Sequence, residues 1–186
     1  MEVKGTGIKT TRDFVKSQFP DQYDSWIESL PEKSRALYVS PMLNLAGWYP
    51  IKEAYLTPMD MITKVLYDND EKKAGEAMGS FSAEEALNGI YKLYMMVATP
   101  KYLMQRASVI FSTYYLPCDI KVEEAGHKSV VMCISKFTSM SALLEYRIGG
   151  WCVRALEMCR CKAPFYKIHR SMLKGDTVTE YYFHWE

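Results

Sequence analysis

The sequence predicts an α+β fold: a mainly helical stretch, residues 1–117, packed on a four-stranded antiparallel sheet built from residues 118–186. Three observations carry this. Apolar residues recur at helical spacing up to Pro117. Beyond it, short β-branched runs alternate between apolar and polar residues. The chain then closes as hairpin, amphipathic helix, hairpin, a β-β-α-β-β ending. With 186 residues it suits a single domain with a core of its own.

Taken in order, Thr11–Phe19 predicts a short helix that stops at Pro20. Asp21 is placed to cap a second helix, with Tyr23, Trp26, Ile27 and Leu30 on one stripe. Pro31 opens a third, running toward Tyr38. Gly47-Trp48-Tyr49-Pro50 predicts a loop. Thr57-Pro58 starts a fourth helix with Met59, Ile62, Val65 and Leu66 on its apolar face. A long helical stretch covers 71–98, with a break near Gly79 and a capping box from Ser82 to Glu85. Thr99-Pro100 opens the next helix, through Leu103, Ala107, Ile110, Phe111 and Tyr114.

The first hairpin turns at Ala125–His127, which pairs Val122 with Val130, Ile120 with Met132 and Cys118 with Ile134. Met140–Cys161 predicts the clearest helix, with Leu144, Ile148, Trp151, Ala155 and Met158 inward. The last hairpin turns at Gly175-Asp176 and pairs Arg170 with Tyr181, Ile168 with Phe183 and Tyr166 with Trp185. That register places Arg170 on an otherwise aromatic inner face.

Composition narrows the function. The net charge is +1 and no basic stripe stands out, so nucleic acid is not an expected partner. No apolar run reaches the length of a bilayer span, and residues 1–10 lack the apolar core of a signal peptide, so a cytoplasmic protein is expected. Five cysteines, with no C-x-x-C pair, suit free thiols in a reducing compartment. The G-x-S-x-G, H-E-x-x-H, P-loop and G-x-G-x-x-G motifs are all missing, so an enzyme is not expected.

Two arginines invite a ligand. Arg170, in the expected register, and Arg147, near the start of the long helix, are charges placed among apolar residues. Each needs an acceptor: for Arg170 a protein carboxylate such as Glu145, Glu84 or Glu85, or for either arginine the carboxylate or phosphate of a ligand. Gly149 and Gly150, beside Arg147, allow either close packing or room for a ligand. Tyr91, Tyr94, Phe111 and Tyr114, with Trp151 and Tyr181, supply aromatic walls; ordinary core packing accounts for the same pattern. Cys159, Cys161 and His169 are weak zinc candidates because their spacing matches no zinc pattern. No metal and no cofactor are expected.

Several short segments, in this order and spacing, resemble a bacterial family of unknown function best represented in myxobacteria. They are Gly47-Trp48-Tyr49-Pro50, Phe81-Ser82-Ala83-Glu84, Tyr91-Lys92-Leu93, Thr113-Tyr114-Tyr115 and the Gly175-Asp176 hairpin. That family is distantly similar to 4-vinyl-reductase-like and haem nitric-oxide-binding domains. The resemblance implies a helical cap over a four-stranded sheet with a pocket between them. It also implies a role in sensing or signalling, ligand binding or assembly.

The haem chemistry does not carry over. Haem nitric-oxide-binding domains hold iron through a histidine on a helix before the sheet, whereas His127, His169 and His184 all come later. Their Tyr-x-Ser-x-Arg motif falls at Cys133-Ile134-Ser135-Lys136-Phe137, where only the serine matches. The expectation is a non-catalytic, haem-free sensory domain for a small apolar or anionic molecule. The alternatives are a homodimeric assembly module and, behind it, a thiol-dependent enzyme.

Overall fold

A computed structural model describes residues 1–88 and 99–186. Strand β1 (Glu2–Lys4) runs into helix α1 (Gly5–Gln18), followed by α2 (Tyr23–Ser29) and α3 (Glu32–Val39). Strand β2 (Trp48–Pro50) leads through one π-helical turn (Lys52–Leu56) into α4 (Thr57–Leu66), and α5 spans Glu71–Leu87. Helix α6 (Pro100–Tyr114) ends in the short β3 (Tyr115–Leu116). The sheet and its helix follow: β4 (Asp119–Gly126), β5 (Ser129–Ser135), α7 (Ala142–Met158), β6 (Phe165–Arg170) and β7 (Thr179–His184).

Thr99 caps α6 where expected, its side chain accepting from the backbone N–H of Tyr102, and Ser141 caps α7, accepting from the backbone N–H of Leu144. Asp70 does the same for α5 at Lys73. Other elements differ from the sequence expectation. Helix α1 begins at Gly5, well before Thr11. Asp21 lies inside a 3₁₀ turn rather than capping α2. Gly47–Pro50 is not simply a loop: β2 pairs with β1, Tyr49 opposite Val3, and β3 pairs with the other edge of β1. Helix α5 runs unbroken through Gly79 and Ser82. The Ser82 hydroxyl donates back to the carbonyl of Met78, so the capping-box pattern is a mid-helix coincidence. Residues 89–98 of the expected long helix, with Tyr91 and Tyr94, lie outside the described residues.

The four-stranded antiparallel sheet has the order β4-β5-β7-β6. Apart from Arg170, both hairpins keep the expected inner residues but slip in register by two. Ile120 pairs with Ile134 and Val122 with Met132, because a bulge between Glu124 and Gly126 shortens the turn. In the second hairpin Tyr166 pairs with Phe183 and Ile168 with Tyr181. A further bulge between Ile168 and Arg170 turns Arg170 to the outer face, opposite Glu180. The expected turn at Gly175-Asp176 is a longer connection: a 3₁₀ turn at Met172–Lys174 closed by Gly175 at φ 91°. Its left-handed backbone suits glycine.

Helix α7 covers the inner face of the sheet and packs most extensively on α5. Glycines set that approach. A Cβ on Gly79 would lie 2.1 Å from the Arg147 carbonyl oxygen and 2.7 Å from the Trp151 nitrogen. One on Gly150 would meet the backbone of Glu76 at 2.6 Å. The two helix backbones therefore touch, and Gly149 and Gly150 serve packing rather than room for a ligand. Among the described residues, no helix is long and apolar enough to cross a membrane.

Candidate functional site

Arg147 is the feature around which the interior is organised. It lies on α7, faces the other helices, and is only 4% exposed. Nη1 donates to Thr11 Oγ1 at 3.2 Å and lies 3.1 Å from Met59 Sδ and 3.6 Å from Met78 Sδ. Nη2 donates to Ser82 Oγ at 2.9 Å. The guanidinium sits over the Tyr55 ring, 4.6 Å from its centroid. Residues from α1, α4, α5 and the π-helical turn thus converge on one cation, and all of them are neutral. No carboxylate pairs with it among the described residues, and residues 89–98 include no Asp or Glu. Thioether sulfur is a weak acceptor. Among the described residues, the direct partners of Arg147 therefore include no formal counter-charge.

A cavity of about 220 Å³ adjoins this guanidinium. Its floor includes Tyr55, Phe111, Tyr115, Arg147 and Trp151, and its rim includes Lys9, Glu85 and Tyr114. Phe111 and Trp151 meet edge to face at 5.0 Å. The Tyr55 and Tyr115 hydroxyls are 3.2 Å apart. Burial raises the pKa of Tyr114 and pushes that of Tyr115 well up, so both phenols stay protonated at neutral pH. None of the described lining residues comes from the four-stranded sheet. The cavity lies among the helices, one layer away from the helix–sheet junction expected from the resemblance.

That junction holds a different feature, an open groove of about 590 Å³ between α5, α7 and β6. Several of its charges pair with one another. Arg154 pairs with Glu84 at 2.7 Å and Glu157 at 2.8 Å, and Tyr166 donates to Glu76 at 2.8 Å. At its floor is Glu145, 5% exposed, which accepts from the hydroxyls of Ser171 at 2.7 Å and Thr179 at 3.0 Å. The groove is larger than the inner cavity, and its buried charge, Glu145, is already held by two hydroxyl donors.

The structure thus brings Phe111, Tyr114, Arg147 and Trp151 to one cavity. Arg170 is elsewhere. Half exposed on the outer face, it lies 3.6 Å from Asp176 Oδ1, so the inward anchor inferred from the simple hairpin register is corrected. Tyr181 is buried under α7 and donates to the Glu145 carbonyl at 3.1 Å, away from the cavity. Glu145 and Glu84, the carboxylates expected to meet Arg170, serve Ser171, Thr179 and Arg154 instead. Sequence reasoning missed Thr11, Tyr55, Met59, Met78 and Ser82 as the shell of Arg147. They come from four separate segments, and no local pattern links them.

The titratable residues proposed for metal or thiol chemistry are dispersed. No group of three His, Cys, Asp or Glu side chains is placed to hold a metal among the described residues. His169 stacks on Tyr182 on the outer face of the sheet, and His184 lies parallel to the same ring. His127 lies exposed in the first hairpin turn. Burial raises all five thiols, Cys118 to about 12 and Cys161 to about 11, which is the wrong direction for a nucleophile.

No protein-family model matches the sequence, and no curated protein matches it significantly. Solved structures do match in fold. An H-NOX protein from S. oneidensis, in the Fe(II)NO ligation state, superimposes with a TM-score of 0.72 at 13% identity, over 98% of this chain and 99% of that one. The Fe(II) unliganded H-NOX protein from K. algicida gives 0.67 at 12% identity, over 98% and 96%. The IWP-051-bound H-NOX from Shewanella woodyi, in the Fe(II)CO ligation state, gives 0.68 at 11% identity, over 97% and 93%. Helical cap, long helix and four-stranded sheet together make this chain similar in fold to the H-NOX proteins along its whole length.

Proposed function

We propose that this chain is a non-catalytic, ligand-binding domain of the sensory type that works without haem and receives a small molecule in the cavity at Arg147. The observation that carries this reading is the guanidinium itself: buried, bordering a cavity, and met among the described residues by neutral partners alone. A buried ion left uncompensated costs several kcal/mol, typically about 3–5 when its partner is removed. A bound anion offsets that cost.

The cavity does not suit the haem that the fold brings to mind. No histidine lines it, and the three histidines of the chain lie in a turn or on the far face of the sheet. Tyrosinate, another ligand of haem iron, is disfavoured by the raised pKa of Tyr114 and Tyr115. At about 220 Å³ the space falls below the range of about 300–1,000 Å³ usual for drug-sized ligands. At the position of the haem-binding motif's arginine stands Phe137, buried in the core, and the neighbouring Lys136 pairs with Asp119 at 2.7 Å on the surface.

Haemin titrated into the purified chain is therefore expected to give no stoichiometric Soret band. A one-to-one complex whose ferrous spectrum responds to carbon monoxide would overturn the haem-free reading.

A further inference from the structure

We infer that the Arg147 cavity takes a compact monocarboxylate with an apolar body. This rests on the cavity being a ligand site and specifies what fills it.

Charge comes first. One guanidinium faces the interior, and its protein partners are two hydroxyls, two thioethers and the ring of Tyr55. The other charged lining residues, Lys9 and Glu85, are of opposite sign and sit at the rim. Lys9 is already bonded to Asp13. The interior therefore calls for one negative charge. A dianionic phosphate ester would bring a second charge, and among the described lining residues the other cation, Lys9, is already paired with Asp13.

Donor geometry comes next. Arginine offers five N–H groups in a planar fork that matches a carboxylate. Ser82 and Thr11 accept firmly from Nη2 and Nη1, but the remaining acceptors are the sulfurs of Met59 and Met78. A carboxylate loses little by displacing contacts to thioethers. The walls beyond the guanidinium are aromatic and aliphatic, with Phe111, Trp151 and Ile148 at the floor and Ile110 toward the rim. They suit a hydrocarbon body rather than a hydrated inorganic anion. The volume of about 220 Å³ lies below the range of about 300–1,000 Å³ usual for drug-sized ligands, which favours a compact ligand. Long-chain fatty acids exceed this volume.

Benzoate and hexanoate are the probes, with benzamide, hexanamide, inorganic phosphate and palmitate as controls. Each is titrated calorimetrically into the full chain, into Arg147→Met and into Ile110→Trp, which fills the rim. The expected result is that at least one of the two carboxylates binds about tenfold or more tightly than its amide. That preference disappears in Arg147→Met, and binding is lost in Ile110→Trp. If Arg147→Met does not fold, the Ile110→Trp variant and the amide comparison decide. Equal binding of amide and carboxylate overturns the inference while leaving a ligand site. Tighter binding of phosphate or palmitate than of either probe also overturns it. Absence of binding by every compound overturns both the inference and the reading of the cavity as a ligand site.

Discussion

Glu145 is buried two positions before Arg147, yet the two never meet. Two residues along an α-helix turn through about 200°, so one faces the sheet and its closing turn while the other faces the helical layer. Glu145 is satisfied by hydroxyls from both ends of the β6–β7 connection, Ser171 and Thr179. It fastens that connection to α7. Glu145→Ala is expected to destabilise the fold by about 1.5–3 kcal/mol, the range for hydrogen bonds to a charged group. Glu145→Gln keeps an acceptor oxygen and should cost less. Urea midpoints of the two variants against the parent chain check this ordering. At this scale the sequence singled out Arg147 as a charge on an apolar face and Glu145 as a nearby carboxylate. It could not pair them correctly, because the partners of each residue are distant along the chain.

Elements were legible where local chemistry decides them. The cap at Thr99 and the apolar stripe of α7 are local properties. Register was not legible. A slip of two residues keeps every side chain on its own face, so alternation cannot distinguish Ile168 opposite Phe183 from Ile168 opposite Tyr181. The bulge that turns Arg170 outward has no signature in residue type. Gly79 was misread as a break because glycine disfavours helices. Its role is visible only when α7 is laid against it. Gly79→Ala is expected to destabilise the protein, since the added methyl meets backbone that cannot step aside, an overpacking cost of about 1–3 kcal/mol against a helix-propensity gain of about 1. Gly149→Ala should be milder. Its methyl meets the Tyr166 ring, a side chain, although one held by Glu76. Thermal unfolding of the two variants tests the contrast.

Over the whole molecule, buried acids set the response to pH. Burial holds Cys118 up to about 12 and Cys161 up to about 11, against 9.0 for an unperturbed thiol, and raises Tyr38, Tyr115 and Tyr181 above 10.0. These groups keep their protons in the folded state after the unfolded chain has begun to lose them. Their contribution is fully present below pH 9 and is lost as pH rises from about 9 toward 12. The urea midpoint should therefore be flat between pH 7 and 8.5 and fall above pH 9; a midpoint that rises there would contradict the burial of these groups. The fold class was legible at this scale from the change in periodicity at Pro117. The small sheet was not. It ties together Glu2–Lys4, Trp48–Pro50 and Tyr115–Leu116, segments too short and too far apart for any pattern.

The glycine contact between α5 and α7 has a mechanical consequence. Two helices separated by side chains can slide or roll a little as rotamers readjust. Two helices keyed backbone to backbone at Gly75, Gly79 and Gly150 have no such lubricating layer. Rotation of α7 about its own axis would drive the Arg147 carbonyl into α5, and translation would lift Gly150 off Glu76. The pair is left with the freedoms of a single rod. That rod carries Ser82 and Arg147 on one flank and Glu145 on the other, so a displacement at either flank is shared by both.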